Sequence, residues 1–295
     1  MGTEAHDARL PSYFISHGGG PWPWIKDLLP GDWSILESSL QAIPEQIGVT
    51  PKAILVVSGH WEERDFTVQT HPNPPMYYDY GGFPDFTYRI QYPAPGSPSV
   101  ASRVVELLDA AGIPNATDPN RGFDHGVFAP LYVMYPDANV PILQLSIRRG
   151  YDPAQHLAVG RALAPLRDEG VLIVGSGLSY HNLRAMGGEG VAPSMAFDAW
   201  LHEVLIDGDI ADRDRQLLNW ESAPGARQSH PSEDHLIPLM VAVGAAEGEK
   251  ASRVYHETNM MGTGIYSSSF AFGLDRRVLG VPPTTGSALA NNSGV

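Results

Sequence analysis

Six of the eleven histidines stand where packing alone gives them little to do: His17, His60, His125, His181, His230 and His235. Neutral imidazole is the commonest metal ligand among side chains, and it exchanges protons close to neutral pH. The chain contains no Cys, which excludes disulfides, thiolate ligands and Cys-held iron–sulfur clusters. A metal would have to be held by His, Asp, Glu or backbone oxygen. Each histidine taken singly reads more readily as a capping or core residue. The functional reading rests on where they fall together.

His17 lies in Phe14-Ile-Ser-His-Gly-Gly-Gly-Pro21, just after a short apolar run. Glycines there permit close backbone approach and unusual φ. A phosphate cradle is the rival reading, but the Lys and the spacing of a P-loop are missing. His60 closes Val56-Val-Ser-Gly-His-Trp-Glu62, and His181 follows Gly175-Ser-Gly-Leu-Ser-Tyr180. Three histidines thus follow three apolar runs, at the edge where open α/β sheets bind ligands. His125, in Gly122-Phe-Asp-His-Gly126, reads equally as a turn residue bonded to its neighbouring Asp. In His230-Pro-Ser-Glu-Asp-His235, Pro231 and Ser232 look like a helix start with Glu233 and Asp234 in its first turn. His235 would project from that turn, with His230 and Glu233 as rival ligands. From the residues alone this is a His-rich metal site at the top of an α/β sheet.

The elements that would position it follow from hydrophobic pattern. Ala53–Val57, Ile142–Ile147 and Val171–Val174 are short apolar runs suited to buried strands, with Tyr13–Ile15 a weaker fourth. Helical spacing is expected over Val100–Ala111, Ala154–Arg167, Ala196–Leu205 and His235–Ala246. The fold class expected is α/β: a single domain, its central sheet mostly parallel or mixed, with helices on both faces. The Pro-, Gly- and Tyr-rich stretch Thr70–Gly96 is expected to be a long ordered loop. We expect a flexible N-terminus over 1–10, one catalytic domain over 11–279 and a disordered tail over 280–295.

With 295 residues the chain can bury a full core, and its 43% hydrophobic and 18% charged composition is that of a folded protein. A formal charge of −14 without a basic run argues against a nucleic-acid partner. No apolar run reaches the length of a membrane helix and none near the N-terminus suits a signal peptide, so no membrane partner is expected and a cytoplasmic location is the default. The oligomeric state is left open.

The set FISHGGGP, VVSGHWE, GFDHGVF, SGLSYHNL and HPSEDHLIPL, with GGFP at Gly81–Pro84 and YPAPGSP at Tyr92–Pro98, resembles the class III extradiol ring-cleaving dioxygenases. The likeness is closest to the DOPA 4,5-dioxygenase type, related to the catalytic subunit of protocatechuate 4,5-dioxygenase, and runs from about Pro11 to about Phe272 in the same motif order. It implies cleavage of a catechol-type ring by O2 at a non-haem Fe(II), with Zn(II) able to occupy the site in purified protein. The resemblance makes His17, His60 and His235 the ligands and His181 the acid/base. His125 becomes a second active-site histidine facing substrate and oxygen, and Glu233 a lesser candidate ligand. Relatives need not carry His230, which becomes a pocket-edge residue. Trp22, Trp61, Tyr180 and His230 are the candidate substrate contacts, and the aromatic loop Met76–Tyr92 could line the ring pocket.

Two other functions fit parts of the pattern. A zinc hydrolase would also use His ligands but has no natural need of both His125 and His181. A non-catalytic metal- or ligand-binding relative needs neither. The substrate could be DOPA, a catecholic acid, a larger phenolic or a hydroquinone-like ring.

Overall fold

Strands that are largely apolar on both faces need cover on both sides, and that is what the four central strands receive. The structure, a computed structural model, describes residues 9–274. Eight strands form one mixed sheet: β1 (Ser12–Ser16), β2 (Ala53–Glu63), β3 (Phe66–Gln69), β4 (Asn115–Asp118), β5 (Ile142–Arg148), β6 (Val171–Gly177), β7 (Ala251–Met260) and β8 (Ile265–Phe272). Their order is β4-β3-β5-β2-β6-β1-β8-β7. The inner four, β5-β2-β6-β1, are parallel, and β8 joins β1 antiparallel. The expected single α/β domain is therefore present, and the sheet is mixed.

Alternation along β2 divides the core. Leu55 and Val57 face a layer that contains helices Pro98–Ala110, Pro153–Leu163, Val191–His202 and Pro238–Ala245. Ile54 and Val56 face the other layer, with helices Ser34–Gln41 and His125–Met134. The buried apolar side chains of these layers supply the main stabilisation.

Boundaries moved where sequence rules compete. The expected helix Ala154–Arg167 is split by Pro165, which begins a separate short helix Pro165–Asp168. The helix expected over Ala196–Leu205 runs Val191–His202 and continues into a π-helical turn at Glu203–Asp207. The helix expected from His235 starts at Pro238 instead, leaving His235 in the preceding turn. Thr70–Gly96 is a loop, pinned by a bridge between Met76 and Phe123 and containing a short 3-10 helix at Asp85–Arg89. Leu10 is buried and donates its N–H to Arg167. Arg9 is exposed, and its guanidinium pairs with Asp168. Residues 1–8 of the expected flexible N-terminus, and the expected 280–295 tail, lie outside the described residues.

Candidate metal and active site

His17 follows the last residue of β1. Its N–H donates to the Gly177 carbonyl at 3.1 Å, and its own carbonyl accepts Trp22 Nε1–H at 2.8 Å. Gly18 then turns with φ +79°, and a Cβ there would collide with the Trp22 ring. The Gly run is thus a steric requirement for placing His17. His60 sits where β2 bulges: its parallel pairing to β5 breaks between Ser58 and Glu62. Ser58 Oγ anchors the bulge, donating to buried Asp124 at 2.7 Å and accepting the His60 N–H at 3.2 Å. His235 is brought in by Gly177, whose missing Cβ lets the His235 carbonyl press on β6 and accept Leu178 N–H at 3.1 Å.

These three rings converge. Their centroids are 4.9 Å (His17–His60), 5.1 Å (His17–His235) and 4.6 Å (His60–His235) apart. One nitrogen from each lies within 4.8 Å of the others. His60 Nε2 and His235 Nε2 are 3.1 Å apart. Carboxylates lie on the far sides of both rings: Asp234 Oδ2 is 2.6 Å from His235 Nδ1, and Asp79 Oδ2 is 3.3 Å from His60 Nδ1. With Nδ1 protonated toward the carboxylates, both Nε2 atoms present lone pairs to each other, an arrangement a cation resolves. Two metal–nitrogen bonds of about 2.1 Å at roughly a right angle span such a gap.

The donor set fits a metal on a second count. His17 is 1% exposed, and among the described residues neither ring nitrogen has a hydrogen-bond partner. A buried imidazole without partners is costly unless something else binds it. Burial, and then the neighbouring His60 and His125, hold the His17 pKa well below its usual value. Burial likewise lowers His60 to about 3 and His235 well below 6.5. The three rings are neutral at physiological pH, the form that ligates.

His125 and His181 flank the trio. His181 stacks on His235, centroids 3.4 Å apart, with its Nδ1 3.9 Å from Asp234. Burial lowers its pKa, against the opposing charge of Asp234, so it is a neutral base. His125 begins the helix His125–Met134 and lies 4.0 Å from His60 between ring centroids. Asp79 takes both its backbone N–H (3.0 Å) and its Nδ1 (2.8 Å). Burial opposes ionisation of Asp79, but the hydrogen bond and charge of His125, then His60, hold its pKa below the ordinary carboxylate value. His125 can therefore donate from Nε2 only when its ring carries both protons.

All five histidines open onto a cavity of about 330 Å³, within the range of small-molecule sites. Trp33, Tyr80, Phe83, Leu178, Leu183 and Met261 contribute to its wall. The aromatic loop supplies Tyr80 and Phe83, as its composition suggested. The four substrate contacts expected from sequence are not in the wall. Trp22 stacks behind Trp33 and props His17; Trp61 is buried, its indole donating to Glu63 and its ring under Arg121. Tyr180 donates its hydroxyl to Ala185. His230 is fully buried, bonded to the Ser179 carbonyl and packed on Phe197 and Trp220. Glu233 is taken by Arg227 at 2.7 Å and joins no ligand group. Sequence reasoning missed Asp79 and Asp234. Asp234 precedes His235 directly, whereas Asp79 is hidden in the Tyr-rich loop.

Comparison with known proteins adds an independent line. The family described as catalytic LigB subunit of aromatic ring-opening dioxygenase matches residues 25–271. A 4,5-DOPA dioxygenase extradiol of Beta vulgaris is 41% identical, over 87% of this chain and 94% of its own length. The protein of the same name in Escherichia coli K12 is 37% identical over 86% and 92%. Dioxygenase tasH of Hapsidospora irregularis is 37% identical over 87% and 84%. In three dimensions the chain is similar to an uncharacterized Escherichia coli K12 protein of known crystal structure. The TM-score is 0.72 with 32% identity, covering 90% of this chain and all of that one.

Proposed function

Because this chain belongs to the LigB family of aromatic ring-opening dioxygenases, we propose that it opens a catechol-type ring with O2, using Fe(II) held by His17, His60 and His235. The observation that carries the assignment is His17: a buried ring with both nitrogens free, converging on two imidazoles whose Nε2 atoms are 3.1 Å apart. Iron bound there would supply open positions for both diol oxygens and O2, and a path for electrons between them.

The surrounding side chains fit the remaining tasks. The cavity wall binds the ring and keeps water away. His181, neutral beside His235, accepts the proton that a catechol hydroxyl loses on binding and returns it later in the cycle. His125, held by Asp79 through its backbone N–H and Nδ1, lines the cavity and shares a hydrogen bond with substrate or oxygen through its other ring nitrogen. Asp234 orients His235 as Asp79 orients His60.

Metal loading tests the assignment. Metal-free protein is loaded anaerobically with Fe(II), or separately with Zn(II), and mixed with catechols in air. O2 uptake with a new yellow product in the iron sample alone is the expected result. Zinc-supported ester or amide hydrolysis without O2 uptake would establish a hydrolase instead, and metal binding without turnover a binding protein.

A further inference from the structure

The wall of the cavity carries information about the part of the substrate that is not the ring. Apart from the histidines and the Gly18–Gly20 backbone, it includes Leu29, Pro30, Trp33, Phe83, Leu183 and Met261, and among the described residues none of the lining side chains is Lys or Arg. Its two polar-tipped aromatics are already engaged: Tyr80 donates its hydroxyl to the Thr87 carbonyl at 2.8 Å, and Trp33 donates Nε1–H to the Pro30 carbonyl at 3.2 Å. The carboxylates nearest the histidines, Asp79 and Asp234, are bonded to them and stand behind the wall rather than in it; Asp234 Oδ1 is buried there without a partner among the described residues. Arg184 follows Leu183 and is exposed, but it is not in the wall. The described chain ends just beyond β8, where Phe272 pairs with Ser12, at the end of β1 away from His17.

The wall is partly open, with Leu183 and Pro30 exposed, so an ionised group held against it loses part of its hydration and gains no side-chain partner in return, a penalty. An alkyl group of the same size gains from burial. We propose that the substrate is a catechol whose ring substituent is uncharged and apolar, so that DOPA, which carries both an ammonium and a carboxylate, is a poor substrate. This rests on the ring-opening assignment and specifies the molecule that assignment leaves open.

The test uses pairs matched in shape. Iron-loaded wild-type enzyme is assayed with 4-isobutylcatechol against 3,4-dihydroxyphenylacetate, and with 4-propylcatechol against dopamine. The uncharged member should be favoured at least tenfold in kcat/KM in both pairs, the scale of discrimination that a hydrophobic pocket supplies. A smaller preference, or one for a charged member, overturns the proposal. So does a preference for the acid that disappears in Arg184→Ala. Leu183 is 70% exposed, so Leu183→Arg leaves the core intact. Placing a guanidinium at the wall should shrink the isobutyl-over-acetate ratio at least tenfold, and an unchanged ratio counts against the proposal. Anaerobic titration of the metal-free protein, read by tryptophan fluorescence, reports wall selectivity without turnover. If no catechol is opened while the titration keeps the uncharged-first order, the ring-opening assignment fails and the wall reading stands. The reverse order overturns the wall reading alone.

Discussion

Replacing Asp234 by Asn and by Ala separates the charge of the carboxylate from its mere presence. Asp234 Oδ2 lies 2.6 Å from His235 Nδ1, the ring atom opposite the Nε2 that faces His60. A hydrogen bond to an ionised partner contributes about 1.5–3 kcal/mol and a neutral one about 0.5–1.5. Asp234→Asn keeps an acceptor of the same shape, so it loses roughly the difference, about 1–1.5 kcal/mol, or five- to twelvefold in metal affinity. Asp234→Ala also frees Nδ1–H and lets the other tautomer compete. Its loss should reach the upper part of the roughly 10–100-fold range for partners of ligating histidines. Affinity is read by competition with a chromogenic chelator, using Zn(II) or anaerobic Fe(II), with thermal unfolding as the control for folding. Wild type, Asn and Ala should rank in that order. Equal affinity in all three proteins would refute the idea that this carboxylate tunes the ligand.

Other expectations follow from the same geometry. Asp79→Asn should weaken metal binding by about 10-fold or more through His60 and also slow turnover through His125; combined with His125→Gln, the turnover losses should fall short of additivity, because the pair acts as a unit. His181→Gln should lower kcat by about 10²–10⁴ with metal affinity unchanged in the chelator assay, since His181 stacks on a ligand without being one of the trio; a matching loss of metal would make it a ligand instead. Stability should fall on acidification. Burial holds His156 at about 4 and His230 at about 3, both below 6.5. Above pH 6.5 neither state of the protein binds the extra proton, and the stability is complete. As pH drops toward 4 the unfolded chain takes up protons that the folded one refuses, costing about 1.4 kcal/mol per pH unit for each group. Urea midpoints from pH 7 to 4.5 should show this fall, shallower by about one proton in His156→Gln; an unchanged slope would remove His156 from the account.

Much of the frame was legible because the inner strands are covered on both faces. That favours largely apolar runs, and Ala53–Val57, Ile142–Ile147 and Val171–Val174 all proved to be strands of the parallel centre. The outer strands were not legible. β4 is Asn-Ala-Thr-Asp at the sheet edge, and β8 carries buried Ser267, Ser268 and Ser269, whose polarity disguises a strand that pairs on both sides. Ser268 hides its hydroxyl on Asp198, and Ser269 Oγ accepts the Ser16 N–H at 2.9 Å. That His17, His60 and His181 gather at one edge was readable because strand ends in a parallel sheet lie side by side, whereas His235, in the turn before Pro238, was reached only through the family resemblance. The wall was legible only in the aromatic loop, which supplies Tyr80 and Phe83: Trp22 and Trp61 neighbour the histidines in sequence, yet side-chain direction turns both away. Trp33 and Met261 enter the wall from distant segments that carry no local signal.

The carboxylates behind His235 and His60 have an electrical consequence. Neutral imidazoles bring no charge to a cation, whereas Asp79 and Asp234 together bring two negative charges one side chain further out. A divalent ion on the three rings would be balanced at short range, so the pocket would exert little pull on anions in the surrounding solution. Phosphate or buffer carboxylates would meet a site that is electrically closed. An uncharged diol can still enter, and becomes an anion only after it has arrived and left its proton on His181.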